Sequence, residues 1–297
     1  MRSLLSLLLA SAALAHTPAP SHAGSDIWDS RAALFVAGSL GATSSGAAYE
    51  DTLASAHTDP VHEDLAFGGA ELFGRMGRDW MEGRLEVVAA FHVHRHPGEP
   101  TETELEEIHA EWARGAFRVR AGIFHAPLGL TNTLHAHDWT FANAPLFYGR
   151  FLGPYGLRNP GVQLAWEVDS GKSLWTLAIQ RDSGDTAFSF RSSHDGEAYL
   201  GRVHQAGLGS GPLATLRNER AYRLDAGAAL ASGVSVAAGD NGTGGATWIG
   251  AWNLEWRRDC GEGRWVALES ELLYRDYEAH AGVDVVGAPV AADRLQD

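Results

Sequence analysis

Histidines at alternate positions are the residues of this sequence best suited to chemistry. His135 and His137 are separated by one residue, and Asp138 follows directly. In extended backbone, alternate side chains point to the same side, so both imidazoles can approach one zinc or copper ion with the carboxylate as a third ligand. The spacing predicts a low-affinity, exchangeable metal contact, with a solvated or hydrogen-bonded histidine pair as the alternative.

A second group of histidines has the same spacing. His92, His94 and His96 stand at the end of a stretch in which apolar residues from Met81 to Val93 alternate with polar ones. If this stretch is a strand, the three imidazoles share its polar face. They are further candidate metal ligands, and a polar face that binds no ion is the alternative.

The elements that must position these histidines are β-strands. Alternation with a period of two is typical of a strand whose faces meet different surroundings. It recurs along the chain and predicts an all-β fold of about eleven strands, near residues 33–44, 65–76, 80–93, 103–113, 116–125, 160–168, 173–182, 197–207, 222–235, 247–258 and 264–277.

The links between the predicted strands are alternately short and long, with residues 206–221 as an exception. A meander with tight turns at one end and long loops at the other is typical of an antiparallel transmembrane β-barrel of porin type. Such barrels have an even number of strands in one chain. We therefore expect either misread strands or a barrel of about 16–18 strands that is incomplete at the carboxy terminus.

The compartment follows from the amino terminus and the composition. Residues 1–23 have the basic start, short apolar run and small residues of a cleaved signal peptide, which leaves residues 24–297 as the porin-like β-barrel. The chain has 37 acidic and 23 basic residues, which disfavours nucleic acid as a partner. Its one cysteine, Cys260, excludes an internal disulfide. We expect export to the bacterial outer membrane.

Charges at facing positions favour a water-filled interior. Glu107, His109 and Glu111 alternate on one predicted strand, and Arg118 and Arg120 alternate on the next. We predict that these five residues line the pore and that the two arginines pair with Glu107 and Glu111 across the hairpin. A soluble β-sandwich, whose strands also alternate apolar and polar residues, is the competing fold.

The motif around His135 also carries a family resemblance. The stretch FRVRAGIFHAPLGLTNTLHAHDWTFANAPLFYGRFLGPYGLRNPGVQLAW, with ELEEIHAEW just before it, resembles porins of the phosphate-selective O/P type. It is more similar still to their histidine-bearing branch of zinc-regulated outer-membrane receptors or porins. The matching positions are Gly129, Asn132, His135, His137, Trp139, Phe141, Pro145, Leu146, Phe151, Leu152, Gly153, Gly161, Val162, Gln163 and Leu164.

The resemblance implies a channel whose third external loop, residues 126–159, folds into the barrel and narrows it. A homotrimer is an assembly that the resemblance allows. Two positions depart from the family. Thr140 follows Trp139 where an acid is expected, and Lys172 is the single lysine, against the lysine-rich lumen of a phosphate channel.

These patterns predict a channel for small hydrophilic solutes with a bias toward cations, including zinc or other divalent metals. Zinc would be transported or loosely bound, no cofactor is required, and outer-membrane lipid is the main partner. The alternative is a secreted soluble β-sandwich that binds metal or carbohydrate. We do not expect an enzyme, because Ser192, His194 and Asp195 are too close in one loop to form a catalytic triad.

The metal hypothesis is tested by the double substitution His135→Ala, His137→Ala. We expect lower zinc conductance and altered zinc selectivity in the double variant, because two imidazole ligands are lost. Equal zinc conductance and selectivity in the two proteins would refute the metal contact.

Overall fold

The computed structural model describes residues 28–41, 64–94, 102–134, 152, 156–181, 212–224, 227–240, 246–261, 264–279, 282–283, 289–290 and 293–296. The predicted signal peptide, residues 1–23, lies outside these ranges.

One large antiparallel sheet dominates the described residues, which confirms the all-β prediction. Its eleven long strands pair in chain order, and a short further strand, Asp293–Gln296, pairs with the end of the last of them. No helix among the described residues has the length and apolar character needed to cross a membrane. The strands of the sheet are β1 (Asp29–Gly41), β2 (Asp64–Trp80), β3 (Gly83–His94), β4 (Glu102–Arg114), β5 (Phe117–His125), β6 (Arg158–Val168), β7 (Ser173–Arg181), β8 (Pro212–Arg223), β9 (Ala228–Asp240), β10 (Ala246–Gly261), β11 (Arg264–Ala279) and β14 (Asp293–Gln296).

The sheet is not closed within the described part of the chain. There, β1 pairs with β2, while β11 pairs with β10 and with the four residues of β14. Strands β12 (Gly282–Val283) and β13 (Pro289–Val290) form a separate two-stranded pair.

The eighth strand differs from the prediction. Residues 206–221 were expected to form a link, but β8 covers Pro212–Arg223, and the predicted strand 197–207 lies outside the described residues. The alternation of apolar and polar residues is weak in β8, because this strand carries charge on both faces. Arg217 is buried, whereas Arg220 on the other face is exposed. The sequence pattern therefore did not predict this strand. With β8 in place, the link to β9 is short and the exception in the link pattern disappears.

Tight turns join the strands at one end of the sheet. Met81 and Glu82, between β2 and β3, have φ angles of 50° and 58°, and Asp169 and Ser170, between β6 and β7, have 53° and 56°. Two consecutive positive φ angles are typical of type I′ turns, whose twist matches that of paired strands. The described strands that flank the longer links have their linked ends at the opposite end of the sheet; these links are 42–63, 95–101, 126–157, 182–211 and 241–245.

The sheet is strongly curved. The amide nitrogen of Leu130 lies 2.8 Å from Oε1 of Glu271 on β11, which is six strands from β5. In a flat sheet, six strand spacings are about 29 Å, whereas the five residues from His125 to Leu130 span at most about 18 Å. The reach of one glutamate side chain does not make up this difference, so the sheet must curl toward itself.

The covered face of this curved sheet holds buried polar side chains beside a smaller set of aliphatic ones, and the open face exposes large apolar side chains. On β10, Thr247 and Asn253 are 1% and 3% exposed, whereas Trp248 and Trp252 on the other face are 41% and 40% exposed. The same inversion occurs on β9, where Ser235 is buried. We call the covered side the concave face and the open side the convex face. Soluble proteins show the opposite arrangement.

Glycine permits close contact between β6 and β7. A Cβ atom on Gly161 would lie 2.4 Å from the carbonyl oxygen of Ile179 and 2.6 Å from Cγ of Gln180. The side chain of Gln180 occupies that space and donates from Nε2 to the carbonyl oxygens of Phe124 and Asn159, at 2.7 and 2.9 Å. Gly161 thus allows Gln180 to tie β7 to the ends of β5 and β6.

We predict that Gly161→Ala destabilises the fold by about 1–3 kcal/mol, the usual cost of overpacking. Gly74→Ala is the matched control, since its new Cβ would meet no atom closer than 3.9 Å, and it should change stability by less than about 0.5 kcal/mol. Thermal unfolding followed by circular dichroism measures both. Equal melting temperatures for the two variants would contradict the close contact.

Candidate functional site

The residues that follow β5 turn inward and pack on the concave face. We call residues 126–134 the crossing segment. Ala126 and Leu128 are fully buried in a cluster with side chains of β8, β9 and β10. The remaining members of the cluster are Leu152, Leu157, Leu213, Ala237, Ile249 and Ala251, with Leu273 packed against it. This contact agrees with the predicted inward course of the loop for its first residues; the rest of the loop through 151 lies outside the described residues.

Asn132 holds the base of the crossing segment. Its Nδ2 donates to the carbonyl oxygens of Ala126 at 2.8 Å and Leu157 at 3.2 Å, while its Oδ1 accepts from the amide of Leu157 at 2.7 Å. The side chain is fully buried. One amide group therefore satisfies backbone groups on both sides of the long link, as buried polar backbone requires.

The tip of the crossing segment, residues 129–131, is hydrogen bonded to the concave wall. Gly129 donates its amide to Oγ of Ser235 on β9 at 2.8 Å and accepts a hydrogen bond from Arg217 on β8. Leu130 donates to Oε1 of Glu271 at 2.8 Å. Thr131 donates to Oε2 of the same carboxylate from its amide at 3.1 Å and from its hydroxyl at 2.7 Å.

Gly129 is required by this docking for two reasons. Its φ angle is +67°, in the left-handed region that favours glycine. A Cβ atom at this position would also lie 1.9 Å from Oε1 of Glu271. The carboxylate thus occupies the space that any other side chain would need.

Histidines and carboxylates meet on the opposite wall of the curved sheet. His109 Nδ1 lies 3.9 Å from Oε2 of Glu107, and His125 Nε2 lies 3.9 Å from Oε1 of Glu106. The backbone amide of His125 donates to Oε1 of Glu107 at 3.0 Å. These side chains are largely buried, so they form a compact polar cluster in the first part of β4 and at the end of β5.

His92 extends the same wall. It is directly opposite Glu71 on β2 and Glu104 on β4 in the strand register, and facing side chains of neighbouring strands lie close together. Glu104 also forms an ion pair with Arg158 on β6. We refer to Glu71, His92, Glu104, Glu106, Glu107, His109 and His125 as the histidine–glutamate wall.

The metal prediction can be followed only in part. His92 lies on the concave face as expected; His94 belongs to β3, but its side chain lies outside the described residues. His96, His135, His137 and Asp138 also lie outside them. Among the residues that are described, no group of three or more His, Cys, Asp or Glu side chains is arranged to hold a metal ion. Metal binding therefore stays a prediction.

The five residues predicted to line a pore all lie on β4 and β5. Glu107 and His109 are 6% exposed and alternate with Ile108, which is 43% exposed. Arg120 is opposite Glu111 in the register, and Nη2 of the arginine lies 2.9 Å from Oε2 of the glutamate. This pairing was predicted correctly.

The predicted partner of Arg118 was wrong. Arg118 is opposite Ala113 on β4, so that strand offers it no carboxylate at the facing position. It pairs instead with Glu167 on β6, the other neighbour of β5. The prediction assumed a partner on β4, because β4 and β5 form a hairpin and are close in sequence. The carboxylate is instead provided by β6, which follows β5 after the long loop.

Ion pairs also occur on the concave face near the tight turns. Arg84 contacts Asp29 on β1 at 2.6 Å and Glu86 on its own strand at 2.7 Å. Arg75 on β2 binds the same Glu86. Arginines and carboxylates thus neutralise one another across β1, β2 and β3.

Several residues of the site were not found from the sequence. Glu271, Arg217 and Ser235 contact the crossing segment, yet they are separated from it by 88 to 141 positions. Asn132 was noted as part of a family pattern, without a role. The sequence shows that these residues are polar and occupy alternate positions of their strands. This pattern predicts which face of the sheet a residue lies on, but it does not predict which residue it contacts.

The comparisons with known proteins assign no family. No family model matches the chain, and no solved structure matches it. A stretch of 50 residues is 48% identical to an uncharacterized protein of Aquifex aeolicus (strain VF5) and covers 17% of this chain and 10% of that protein. The chain thus matches about a tenth of the length of this relative, whose name states no activity.

We predict that Asn132→Asp loosens the long link, because a carboxylate would face the two carbonyl oxygens that now accept hydrogen bonds from Nδ2. The loss should be about 1–3 kcal/mol, the usual cost of leaving buried polar groups unsatisfied. Limited proteolysis within residues 126–157 should become faster. Thr133→Ala is the control, because Thr133 is exposed and its hydroxyl donates to the carbonyl oxygen of Leu130 within the same turn and not to Ala126 or Leu157. Cleavage at the same rate in both variants would contradict the role of Asn132.

Proposed function

We propose that the chain is an outer-membrane channel of porin type. In this proposal lipid covers the convex face, water and the crossing segment fill the concave side, and small hydrophilic solutes pass with a preference for cations. Zinc and other divalent metals are included among these cations. The observation that carries the proposal is the polarity of the two faces of the sheet. Polar side chains are buried on the concave face and large apolar side chains are exposed on the convex face, which is the inverse of a soluble protein.

The inversion is costly in water. Among the described residues, 26 large apolar side chains are exposed, with Leu272 at 66% and Val234 at 59%. Burying one such side chain is worth about 1.5–3 kcal/mol, so the whole set represents a cost on the order of tens of kcal/mol in water. Contiguous apolar surfaces of this kind are typical of membrane or protein contact.

Aromatic side chains border the apolar surface at two levels. Trp248 packs against Tyr274 with ring centroids 5.0 Å apart, toward the end with the long links. Trp166 stacks on Trp175 at 6.4 Å, next to a tight turn. On β10, Trp248 and Trp256 are eight positions apart, which gives roughly 20 Å of height for a strand inclined by about 40°. This height suits the apolar band of an outer-membrane barrel, about 25 Å.

The link pattern supports the same class of protein. Tight turns at one end and long links at the other are typical of bacterial barrels, where they are periplasmic turns and extracellular loops. Two positions of the porin resemblance, Gly129 and Asn132, also have specific structural roles. The carboxylate of Glu271 occupies the space that a side chain at position 129 would need. Asn132 hydrogen bonds to the backbone at both ends of the long link.

The preference for cations rests on the histidine–glutamate wall and the overall charge. Four glutamates of this wall lie among three histidines, and Arg158 is paired with one of them. The chain as a whole has a net charge of −14. A polar groove of one sign raises the local concentration of counter-ions, and rings of carboxylates are a known basis of cation selectivity.

A soluble β-sandwich that binds metal or carbohydrate is less well supported. A sandwich needs a second sheet to cover the apolar faces, and within the described ranges the second sheet has two strands of two residues each. The apolar face of the large sheet remains exposed there.

Fractionation and conductance test the proposal together. We expect the expressed protein in the detergent-extracted outer membrane, with migration that changes on heating, and a cation-selective reversal potential in a planar bilayer under a tenfold KCl gradient. Glu104→Gln, Glu107→Gln should move the reversal potential toward zero, because two wall charges are removed. Glu82→Gln, at a tight turn, is the control. Recovery as a soluble monomer without conductance would refute the channel.

A further inference from the structure

Glu271 is a charged residue of the concave face whose carboxylate binds two consecutive residues of the crossing segment. Both of its oxygens accept hydrogen bonds from the crossing segment: Oε1 from the amide of Leu130, and Oε2 from the amide and hydroxyl of Thr131. Hydrogen bonds to an ionised acceptor are roughly twice as strong as neutral ones. One side chain of β11 therefore holds two consecutive residues that are 141 and 140 positions away.

The base of the crossing segment is held by other contacts. Asn132 ties Ala126 to Leu157, and Leu128 is buried in the apolar cluster. These contacts do not involve Glu271. Loss of the Glu271 carboxylate should release Leu130 and Thr131 while the base and the sheet stay in place.

Two further contacts reach the tip at a single residue. Ser235 and Arg217 bind the amide and carbonyl of Gly129, and Arg217 is also shared with Glu219 at 3.1 Å. They fix one point of the tip. Glu271 fixes the next two residues, Leu130 and Thr131. Thr131 is the first residue of the 3₁₀ turn Thr131–Thr133.

We propose that Glu271 is the positioning residue that fixes the crossing segment against the β8–β11 wall and so sets the cross-section available to solutes. This inference rests on the proposed channel function. Backbone at membrane depth is tolerated where it is hydrogen bonded inside the protein, and the carboxylate of Glu271 supplies that hydrogen bonding. With the tip fixed, the channel has one steady conductance; with the tip released, conductance fluctuates between levels.

Amide hydrogen exchange tests the positioning role without reference to conduction. In the full chain reconstituted in lipid vesicles, Glu271→Gln should lose about tenfold or more of the protection of the Leu130 and Thr131 amides, a factor that corresponds to about 1.4 kcal/mol. Glu269→Gln, two residues away on the same face of β11, should leave their exchange unchanged. Thr131→Val removes one hydrogen bond to Glu271 and keeps the side-chain shape, so it should give a smaller loss of amide protection in the same peptide. This variant replaces Glu271→Gln in the test if Glu271→Gln does not fold.

Single-channel recording on the same preparations tests the effect on the pore. We expect one steady level for the parent protein and for Glu269→Gln, and transitions between levels for Glu271→Gln. Unchanged exchange at Leu130 and Thr131 in Glu271→Gln and Thr131→Val would overturn the positioning role. Faster exchange with an unchanged single-channel level would overturn its role in setting the pore. A parent protein that never conducts would refute the proposed channel and the pore role with it, whereas the exchange result would still decide whether Glu271 holds the segment.

Discussion

Successive side chains of a β-strand point to opposite faces, and in this sheet the covered face holds buried polar and charged side chains while the open face exposes large apolar ones. Leu272 and Val234 are more than half exposed on the convex side, while Asn253 and Ser235 are buried on the concave side. A protein surrounded by water would gain free energy by reversing every strand. The sequence keeps the inverted pattern on strand after strand, and this is why we propose an apolar environment for the convex face.

This arrangement also determines what can fill the concave side. Peptide groups of a segment that enters it need hydrogen-bond partners, and a polar wall can provide them. Ser235, Arg217 and Glu271 bind the tip of the crossing segment, and Asn132 binds its base. Small and aliphatic side chains of the wall accept Leu128 between these polar contacts. The crossing segment is thus held by a mixed surface, with its backbone satisfied at both ends.

The sequence predicts the strands better than their contacts. Ten of the predicted strands overlap β1 to β7 and β9 to β11, because the alternation between the two faces is clear in those segments. β8 escaped prediction because charge on both faces hides the alternation. Arg118 was assigned to the wrong neighbour, since sequence distance favours the hairpin and says nothing about Glu167 on β6.

The crossing segment shows the same limit more strongly. Gly129 and Asn132 could be noticed in the sequence, but their roles depend on Glu271 and Leu157, which only the folded sheet brings near. The contact of Leu130 with Glu271 joins residues 141 positions apart. No local pattern contains that information. The chemistry of His135 and His137 remains a prediction from their spacing.

The central claim is that lipid covers the convex face and that water reaches the concave one. Spin labels on single cysteines in a Cys260→Ser background test it most directly, with Leu272→Cys on the convex face and Glu269→Cys on the concave face of the same strand. In reconstituted vesicles, the account predicts that the label at 272 collides preferentially with oxygen dissolved in lipid and the label at 269 with a water-soluble nickel chelate. Equal access of the nickel chelate to both labels would contradict it.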